Sequence, residues 1–315
     1  MSTGLPFLSL YLSKMAIRLL LLGASGQVGQ SLKPLLSAYE VIAPARCEAD
    51  LSKPEYLESI IWDIQPQVII NAAAYTTVDK AELERELAFK VNFQAPEALA
   101  HAALRCGSLL IHYSTDYVFD GIRNKSEPGY REIDQTAPLG VYGASKLAGE
   151  LAIHESGCNH IIFRTAWVYS AFGTNFVSTI RRLVTQREIL RVVEDQIGTP
   201  TWAGDIASAT LHALQKHSFN LKNIACQQRG LFHLTAGGRT SWHNFAELIL
   251  GAEKSRGRAS ATTKIEPIST AEYPTLVQRP AFSVLDSSRF FDNYGFVLSD
   301  WESRFREFLA SEDEK

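Results

Sequence analysis

Residues 17–29 read IRLLLLGASGQVG, a short aliphatic run followed by three glycines with GxxGxxG spacing. A short run that is apolar on both faces is typical of a buried parallel strand. The apolar residues after the glycine turn recur at helical spacing: Val28, Leu32, Leu35 and Leu36. The stretch therefore predicts a strand, a glycine turn and a helix in direct succession.

The glycine turn has the chemistry of a dinucleotide-binding loop. Gly23 and Gly26 allow the backbone to turn tightly and to approach a pyrophosphate, and Gly29 lets the helix pack against the sheet. The helix N-terminus adds unpaired N–H groups and the positive end of its dipole. We therefore assign cofactor binding to this loop, through Gly23, Gly26, Gln27, Val28 and Gly29.

The alternation of strand and helix continues downstream. Further short apolar runs predict strands over 41–45, 68–70, 109–113 and 161–165. Helical spacing of apolar residues predicts helices over 54–64, 80–106 and 142–155. This order is typical of an α/β fold with a doubly wound parallel sheet, the Rossmann arrangement, with right-handed crossovers.

The last third of the chain is less regular and predicts a smaller C-terminal α/β lobe that binds substrate. We expect residues 15–170 to form the NAD(P)-binding Rossmann domain, with return segments from about 190 to 235. Residues 171–189 and 236–315 are expected to belong mainly to the substrate lobe. Residues 1–14 precede Met15 and are expected to be a disordered or wrongly assigned extension.

Composition excludes several classes of protein. The 315 residues include 31 basic and 34 acidic side chains, and a formal net charge of −3 gives no sign of nucleic-acid binding. No apolar run reaches the roughly 18 residues that span a bilayer, so no membrane partner is expected. The cysteines are far apart in the sequence, at Cys47, Cys106, Cys158 and Cys226. Their spacing predicts reduced thiols in a cytoplasmic protein without a metal site.

The end of the second predicted strand bears on the choice of cofactor. It reads APAR over 43–46, without the acidic residue that usually binds the ribose hydroxyls of NAD. Arg46 can pair with a 2′-phosphate, which favours NADPH, although NADH stays possible and a solvated surface arginine is the alternative. Asp50 and Leu51 follow, and Asp50 either accepts a hydrogen bond from the adenine amino group or caps the next helix.

A YxxxK motif, Tyr142 to Lys146, lies on a predicted helix after the fourth strand. The spacing of four residues puts both side chains on one helix face. A lysine ammonium lowers the pKa of a nearby tyrosine from its usual value of about 10, and the pair can then protonate a carbonyl oxygen. The fourth strand leads into Ser114, Thr115 and Asp116, at the sheet edge where ligands bind. Ser114 or Thr115 can hydrogen-bond the reacting oxygen, and Asp116 either contacts substrate or holds the loop.

Six further segments resemble the dTDP-4-dehydrorhamnose reductase family, within the extended short-chain dehydrogenases/reductases. They are NAAAYTTVDKAE (71–82), STDYVFDG (114–121), YGASKLAGE (142–150), RTAWVY (164–169), EDQIGTPT (194–201) and RP followed by SVLD (279–286). The resemblance runs from about residue 17 to 305, in family order. It implies that NADPH, or NADH in some members, reduces the 4-keto group of dTDP-4-dehydro-β-L-rhamnose to give dTDP-L-rhamnose.

The resemblance also implies roles for single residues. Tyr142 protonates the developing alkoxide, Lys146 lowers the pKa of Tyr142 and holds the nicotinamide ribose, and Thr115 orients the keto oxygen. Thr115, Asp116 and Trp167 are implied to contact the sugar. The segment implied to line the cofactor consists of Ala72, Ala73, Ala74, Tyr75 and Thr76. Two residues are implied to face the nucleotide end of the substrate, Gln196 and Arg279.

Departures from the family pattern and two alternatives remain. Some members join two subunits through a magnesium ion held by carboxylates, but the matching positions here are Ser31 and Gly204, so we expect no metal and a monomer or homodimer.

The first alternative is another NAD(P)-dependent sugar-nucleotide epimerase, dehydratase or reductase, although Asp116-Tyr117 lacks the adjacent acids of a dehydratase. The second is a non-catalytic subunit like the regulatory subunit of methionine adenosyltransferase.

Overall fold

The computed structural model of the chain describes residues 17–217, 229–259 and 264–313. The predictions for residues 1–14 and for Cys226 lie outside these ranges. Within them the chain forms a larger lobe around a parallel sheet and a smaller lobe built mostly from the later part of the chain. None of the helices in these ranges is long and apolar enough to cross a membrane.

A six-stranded parallel sheet forms the centre of the larger lobe. Its strands are β1 (Arg18–Leu22), β2 (Glu40–Ile42), β3 (Val68–Asn71), β4 (Leu109–Thr115), β5 (Asn159–Thr165) and β10 (Gly230–His233). They lie in the order β10-β5-β4-β3-β1-β2, and every neighbouring pair is parallel. The chain therefore winds outward from β1 in both directions, which confirms the predicted doubly wound α/β fold.

The aliphatic run of β1 is buried on both faces because helices cover both sides of the sheet. Successive side chains of a strand point to opposite faces. Leu19 and Leu21 accordingly join one apolar cluster, and Leu20 and Leu22 join the other. Because both faces are buried, the strand consists of consecutive apolar residues instead of alternating apolar and polar ones.

Two layers of helices supply these clusters. On one face lie α1 (Gln27–Leu32), α8 (Ala203–His217) and α10 (Ser288–Tyr294). On the other face lie α2 (Leu57–Ile64), α5 (Ala95–Cys106) and α6 (Val141–Glu155). Each helix contributes an apolar stripe, such as Leu57 and Ile61 one turn apart on α2, which are both buried. Because these apolar stripes are buried against the sheet, α6 packs in a fixed position next to β4.

The stretch predicted as one helix over 80–106 is broken in the structure. It consists of α3 (Val78–Leu83), α4 (Arg85–Phe89), a π-helical segment (Lys90–Gln94) and α5. In the π-helical segment, Asn92 accepts a hydrogen bond from the Tyr75 backbone N–H at 2.9 Å and donates to the Tyr75 carbonyl at 3.0 Å. The apolar spacing continues through the breaks, so periodicity alone does not show them. Such π-helical segments are frequent at functional sites.

The smaller lobe packs an aromatic core between helices and a two-stranded sheet. Its main elements are α7 (Phe176–Val184), β7 (Ile189–Val193), α9 (Trp242–Ser255), β12 (Lys264–Ile268) and α11 (Trp301–Asp313). Strands β7 and β12 are parallel, and the buried rings of Phe245, Phe305 and Phe308 lie between the helices. Four two-residue strands lie where the chain passes between the lobes: β6 (Val168–Tyr169), β8 (Ile197–Gly198), β9 (Thr201–Trp202) and β11 (Thr240–Ser241).

The domain boundaries stay a prediction, and the elements add two details to them. Strand β7, over 189–193, pairs within the smaller lobe, so the return to the main sheet starts after it, with α8 and β10. Helix α10, over 288–294, packs on the main sheet although it lies in the segment expected to be mainly substrate lobe. The chain therefore crosses between the lobes more often than the change in sequence pattern suggests.

Candidate active site

A cleft with a volume of about 1070 Å³ lies at the carboxyl ends of β1, β3 and β4. Parallel strands end together at this edge, which is where ligands bind in doubly wound sheets. Most of the residues predicted to bind the cofactor line it: Gly23, Gly26, Gln27, Val28, Arg46, Asp50, Leu51, Ala72, Ala73, Ala74, Tyr75, Thr76, Tyr142 and Lys146. The structure thus brings the glycine loop, the segment after β3 and the YxxxK motif to one space.

The glycines of the loop have different roles in the structure. Gly23 has a φ of +75°, and a Cβ there would lie 2.5 Å from the Ala72 backbone, so only glycine allows this turn. Gly29 lies behind the cleft, where a Cβ would lie 2.2 Å from the Gly23 carbonyl oxygen. A Cβ at Gly26 would meet only that same oxygen, at 3.4 Å. Gly23 and Gly29 are therefore needed by the fold, whereas Gly26 leaves the loop open toward a ligand.

The end of the cleft next to β2 carries the residues predicted to select the cofactor. The side chain of Arg46 is 82% exposed, and its Nε lies 3.9 Å from Asp50 Oδ1. Asp50 Oδ1 accepts hydrogen bonds from the Ser52 backbone N–H and hydroxyl, which lower the pKa of Asp50. These bonds form a turn over 50–52 and cap no helix, so the helix-capping role is wrong and the adenine contact of Asp50 stays a prediction. Lys33 also lines this end of the cleft, a cation that sequence reasoning missed.

Tyr142 and Lys146 lie one turn apart on α6 and both line the cleft. Burial raises the pKa of Tyr142, and the neighbouring hydroxyl of Thr115 opposes this rise. Thr115, the last residue of β4, is thereby placed beside the phenol, as the sequence predicts. A buried phenol keeps its proton, which is the form that a general acid needs.

The expected lowering of the tyrosine pKa by Lys146 is wrong for this structure. The amine of Lys146 is directed to β4, where Nζ donates to the Tyr113 carbonyl at 2.6 Å and lies 3.1 Å from His112 Nε2. Burial lowers the pKa of Lys146 itself to about 8. Because the amine is engaged by β4, burial dominates the environment of Tyr142 and its pKa rises.

Asp116 is 2% exposed and lies directly after Thr115. Its Oδ1 accepts a hydrogen bond from the Thr115 hydroxyl at 3.1 Å, and the same hydroxyl oxygen accepts from the Tyr117 backbone N–H at 3.2 Å. Burial raises the pKa of Asp116 to about 6. The structure shows Asp116 orienting Thr115, and its contact with a substrate stays a prediction.

Trp167 follows β5 in a backbone conformation that is rare for a residue with a side chain, with a φ of 48°. Its indole stacks on that of Trp242 at the start of α9, with ring centroids 3.4 Å apart and planes 5° from parallel. A Cβ at Gly198 would lie 2.3 Å from the Trp167 indole. Trp167 is therefore held rigidly between the lobes. No sequence pattern indicates Trp242, because the contact joins segments far apart in the chain.

The two residues implied to face the nucleotide lie in different surroundings. Arg279 donates to Asp79 on α3 at 2.7 Å, an ion pair between segments 200 residues apart. The Arg279 guanidinium also lies 5.8 Å from the ring centre of Tyr117, which packs edge-on against the predicted catalytic tyrosine. Gln196 donates instead to a threonine hydroxyl beyond β12. The structure therefore brings Arg279, but not Gln196, toward the catalytic end of the cleft.

The segment YGASKLAGE also positions α6. A Cβ at Gly149 would lie 2.1 Å from the Asn92 carbonyl oxygen, so the missing side chain lets α6 approach the π-helical segment closely. Ser145 accepts a hydrogen bond from the Asn92 amide at 3.1 Å. The next residue after Gly149, Glu150, forms a buried ion pair with Arg164 on β5, with an N–O distance of 2.6 Å. These contacts fix the helix that carries the predicted acid.

The cysteines predicted to be reduced and the positions predicted to bind no metal lie elsewhere in the chain. Cys47, Cys106 and Cys158 are free in the structure, and they are exposed, half-buried and buried in that order. Ser31 donates its hydroxyl to a backbone carbonyl within α1. Among the residues that the structure describes, no three His, Cys, Asp or Glu side chains converge as metal ligands. Absence of a metal stays a prediction.

Comparison with known proteins gives a consistent result. The family model described as the RmlD substrate binding domain matches residues 17–313. The dTDP-4-dehydrorhamnose reductase of Burkholderia thailandensis is 45% identical over 288 residues, which cover 90% of this chain and 95% of that protein. The dTDP-4-dehydrorhamnose reductase of Escherichia coli K12 is 43% identical over 292 residues, with 91% and 95% covered.

A solved structure is similar over nearly the whole chain. It is the dTDP-4-dehydrorhamnose reductase of Bacillus anthracis in complex with NADP. The two chains superpose with a TM-score of 0.83 at 33% sequence identity, over 94% of this chain and 100% of the other.

Proposed function

Because this chain belongs to the dTDP-4-dehydrorhamnose reductase family, we propose that it uses NADPH to reduce the 4-keto group of dTDP-4-dehydro-β-L-rhamnose. The product is dTDP-L-rhamnose, and the reaction is the last step of its synthesis. The observation that carries this proposal is the cleft, because the glycine loop, Tyr142 and Lys146 all face it. The chain is accordingly an NAD(P)H-dependent oxidoreductase.

The cleft fits a dinucleotide in size and in chemistry. Its volume of about 1070 Å³ lies just above the usual range for ligand pockets, as a long dinucleotide requires. Gly23 and Gly26 would hold the pyrophosphate, Arg46 the 2′-phosphate and Lys146 the nicotinamide ribose, and the segment Ala72–Thr76 would line the nicotinamide half. When bound, NADPH supplies the hydride that reduces the carbonyl carbon.

The chain itself supplies the proton. Tyr142 protonates the oxygen that gains negative charge at C4 of the sugar. The raised pKa of Tyr142 keeps the proton on the phenol until that oxygen becomes a stronger base. Thr115 donates to the same oxygen by turning its hydroxyl away from Asp116, which the hydroxyl contacts at 3.1 Å in the structure.

The sugar is held by Thr115, Asp116 and Trp167. The support for Trp167 is its rigidity, since the stack on Trp242 and the close approach of Gly198 leave the indole one position. A preorganised aromatic surface binds a sugar face without the entropy loss of ordering a side chain. The support for Asp116 is that its buried carboxylate accepts a hydrogen bond from Thr115, the residue proposed to bind the reacting oxygen.

The cellular setting of the reaction belongs to the same proposal. We place the enzyme in the cytoplasm, with a nucleotide sugar as its small-molecule partner. We also infer a monomer or a homodimer that is not bridged by a metal ion, because Ser31 and Gly204 stand at the positions of the family's bridging carboxylates. Light scattering with and without a chelator measures the mass and any dependence on metal.

The direct test is oxidation of NADPH in the presence of enzymatically prepared dTDP-4-dehydro-L-rhamnose. We expect turnover with this sugar and none without it. NADPH binding without turnover would contradict the reductase proposal. It would favour the alternatives, another sugar-nucleotide epimerase or reductase, or a regulatory subunit of the methionine adenosyltransferase type.

The assignment of Arg46 has its own test. Arg46→Ala is expected to weaken NADPH binding by about tenfold or more, because a charge-assisted contact with the 2′-phosphate is lost. NADH lacks that phosphate and serves as the internal control, with its affinity unchanged. Equal losses for both nucleotides, measured by fluorescence titration, would show that Arg46 does not bind the 2′-phosphate.

A further inference from the structure

Three buried polar side chains form a line that ends at the wall of the cleft. They are Asn71 at the end of β3, His112 on β4 and Lys146 on α6, and each is 1% exposed. Asn71 and His112 are paired neighbours in the register of the two strands. Asn71 Nδ2 lies 3.1 Å from His112 Nδ1, and His112 Nε2 lies 3.1 Å from Lys146 Nζ. The proposed reaction gives Asn71 and His112 no role.

The backbone of Ala73 fixes the direction of these hydrogen bonds. Its N–H donates to Asn71 Oδ1 at 3.2 Å. A backbone N–H can only donate, so the amide oxygen faces Ala73 and the amide NH₂ faces His112. His112 Nδ1 is therefore an acceptor. Burial keeps the pKa of His112 well below its usual value, and any positive charge on Lys146 lowers it further, so the ring is neutral and carries its hydrogen on Nε2.

This hydrogen is directed at the amine of Lys146. A neutral amine accepts it and at the same time donates to the Tyr113 carbonyl at 2.6 Å. An ammonium ion has only donors, so it places an N–H group against the N–H of His112. The line of hydrogen bonds is complete only when Lys146 is neutral.

We infer that Asn71 holds His112 in the tautomer with hydrogen on Nε2, and that His112 is thereby a positioning residue that fixes the Lys146 amine and favours its neutral form. The inference rests on the proposed function, in which Lys146 holds the nicotinamide ribose. Lys146 then loses its proton at a pH close to neutral, whereas an exposed lysine keeps its proton and its charge there.

The other groups around Lys146 act in both directions. Burial lowers the pKa of Lys146 to about 8, and the carboxylate of Glu150, one turn along α6, opposes this shift. Glu150 is itself paired with Arg164 of β5. Tyr142 on the same helix is neutral, and Asp116 lies beyond it. From β4, the facing groups are the imidazole and the carbonyl already described.

Proton–nitrogen correlation spectra of the cofactor-free, histidine-labelled protein test the tautomer directly. The His112 signal is identified by its loss in His112→Gln, and we expect its hydrogen on Nε2. In Asn71→Asp a carboxylate replaces the amide donor, so the hydrogen is expected to move to Nδ1. Hydrogen on Nδ1 in the unchanged protein would overturn the inference, whatever substrate the enzyme uses.

The pH dependence of NADPH binding tests the effect on Lys146. Affinity is expected to fall at alkaline pH as the ammonium loses its proton. In His112→Phe no Nε2–H opposes the ammonium, so the pKa of Lys146 rises and this fall moves to higher pH by about one unit. The control is His160→Phe, since His160 is also buried but lies on the neighbouring strand β5, where it bonds the Cys158 carbonyl instead of Lys146. If the pH profile of NADPH binding shifts in neither variant, His112 does not affect the pKa of Lys146 and only fills space.

Two conservative variants separate positioning from packing. Gln at position 112 reaches the place of Nε2, whereas Asn reaches only that of Nδ1. We expect His112→Gln to keep kcat/KM within about threefold and His112→Asn to lose about tenfold, because only the former still contacts Lys146. Equal losses of kcat/KM in the two variants would contradict the inference. If the unchanged enzyme fails to reduce the sugar, the proposed function falls, and the spectra and the binding profile still decide the role of His112.

Discussion

The carboxylate of Asp116 combines a structural cost with a role in the site. It is 2% exposed, and burial raises its pKa from the ordinary value of 3.8 to about 6. A neutral side chain of the same shape avoids the desolvation of a charge. The carboxylate nevertheless accepts the hydrogen bond that holds the Thr115 hydroxyl in the cofactor-free protein, before that hydroxyl turns to the substrate. The buried charge therefore lowers stability at the place where we propose that the Thr115 hydroxyl binds the sugar.

Asp116→Asn is therefore expected to stabilise the cofactor-free protein while lowering turnover. The folded pKa lies above the unfolded one, so the carboxyl group favours folding at low pH and this contribution is lost as pH rises through about 4 to about 6. The variant is expected to exceed the unchanged protein by about 2 kcal/mol at about pH 8 and by less at about pH 5.

Urea unfolding at the two pH values measures this difference. The control is Asp63→Asn on the exposed face of α2, which is expected to change stability by no more than about 0.5 kcal/mol. A gain for Asp116→Asn that is equal at both pH values would contradict a carboxyl group with a raised pKa.

At the residue scale, the sequence predicts what depends on local spacing. Tyr142 and Lys146 share a helix face because four residues make about one turn. The partners of Lys146 come instead from the strand register that places Asn71 beside His112. That register depends on how the sheet assembles, so no sequence pattern indicates either residue. The direction of the Tyr142 pKa shift is also wrong when it is inferred from spacing alone, because it depends on burial.

At the scale of single elements, two glycines occupy similar positions in helices with opposite consequences. Gly149 lies within α6, and a Cβ there would lie 2.1 Å from the Asn92 carbonyl oxygen. Gly251 lies within α9 and is exposed, and a Cβ there would meet no heavy atom within 4 Å. Glycine weakens a helix in both places, but only Gly149 makes a close packing contact possible.

Gly149→Ala is expected to destabilise the protein by about 2 kcal/mol, because the backbone that it meets cannot move without shifting α6. Gly251→Ala is expected to stabilise it by about 0.5–1 kcal/mol through helix propensity alone. Thermal and urea unfolding of the two variants measure both effects. Changes of the same sign would contradict the close approach of α6 to the π-helical segment.

The sequence predicts the elements themselves unevenly, for a physical reason. Strands β1, β3, β4 and β5 lie close to their predicted positions because two-sided burial demands continuous apolar runs. Strand β10 and the pair β7–β12 are not predicted, since short strands outside the main alternation lack such runs. The break at 90–94 is not predicted either, because Asn92 stabilises it through contacts with Tyr75 that are distant in sequence.

At the scale of the whole molecule, the site depends on contacts between distant parts of the chain. The ion pair of Asp79 with Arg279 and the stack of Trp167 on Trp242 join the larger lobe to later segments. Sequence patterns predict two lobes but not these contacts, because they depend on how the lobes pack together. Resemblance to a family supplies Trp167 and Arg279, and neither follows from local spacing.

We propose that this assembly reduces a keto sugar by using Tyr142 as the proton donor. Tyr142→Phe removes only the phenolic oxygen from the cleft. The control is Tyr169→Phe, since Tyr169 is also buried but lies in the core of the smaller lobe. Both variants are expected to fold and to bind NADPH as the unchanged protein does.

The most direct measurement is the kcat for NADPH oxidation with dTDP-4-dehydro-L-rhamnose, alongside NADPH affinity for each variant. We predict that Tyr142→Phe keeps its affinity for NADPH and loses kcat by about a hundredfold or more, while Tyr169→Phe keeps both. A kcat near that of the unchanged protein in Tyr142→Phe would contradict the account, because another group would then supply the proton.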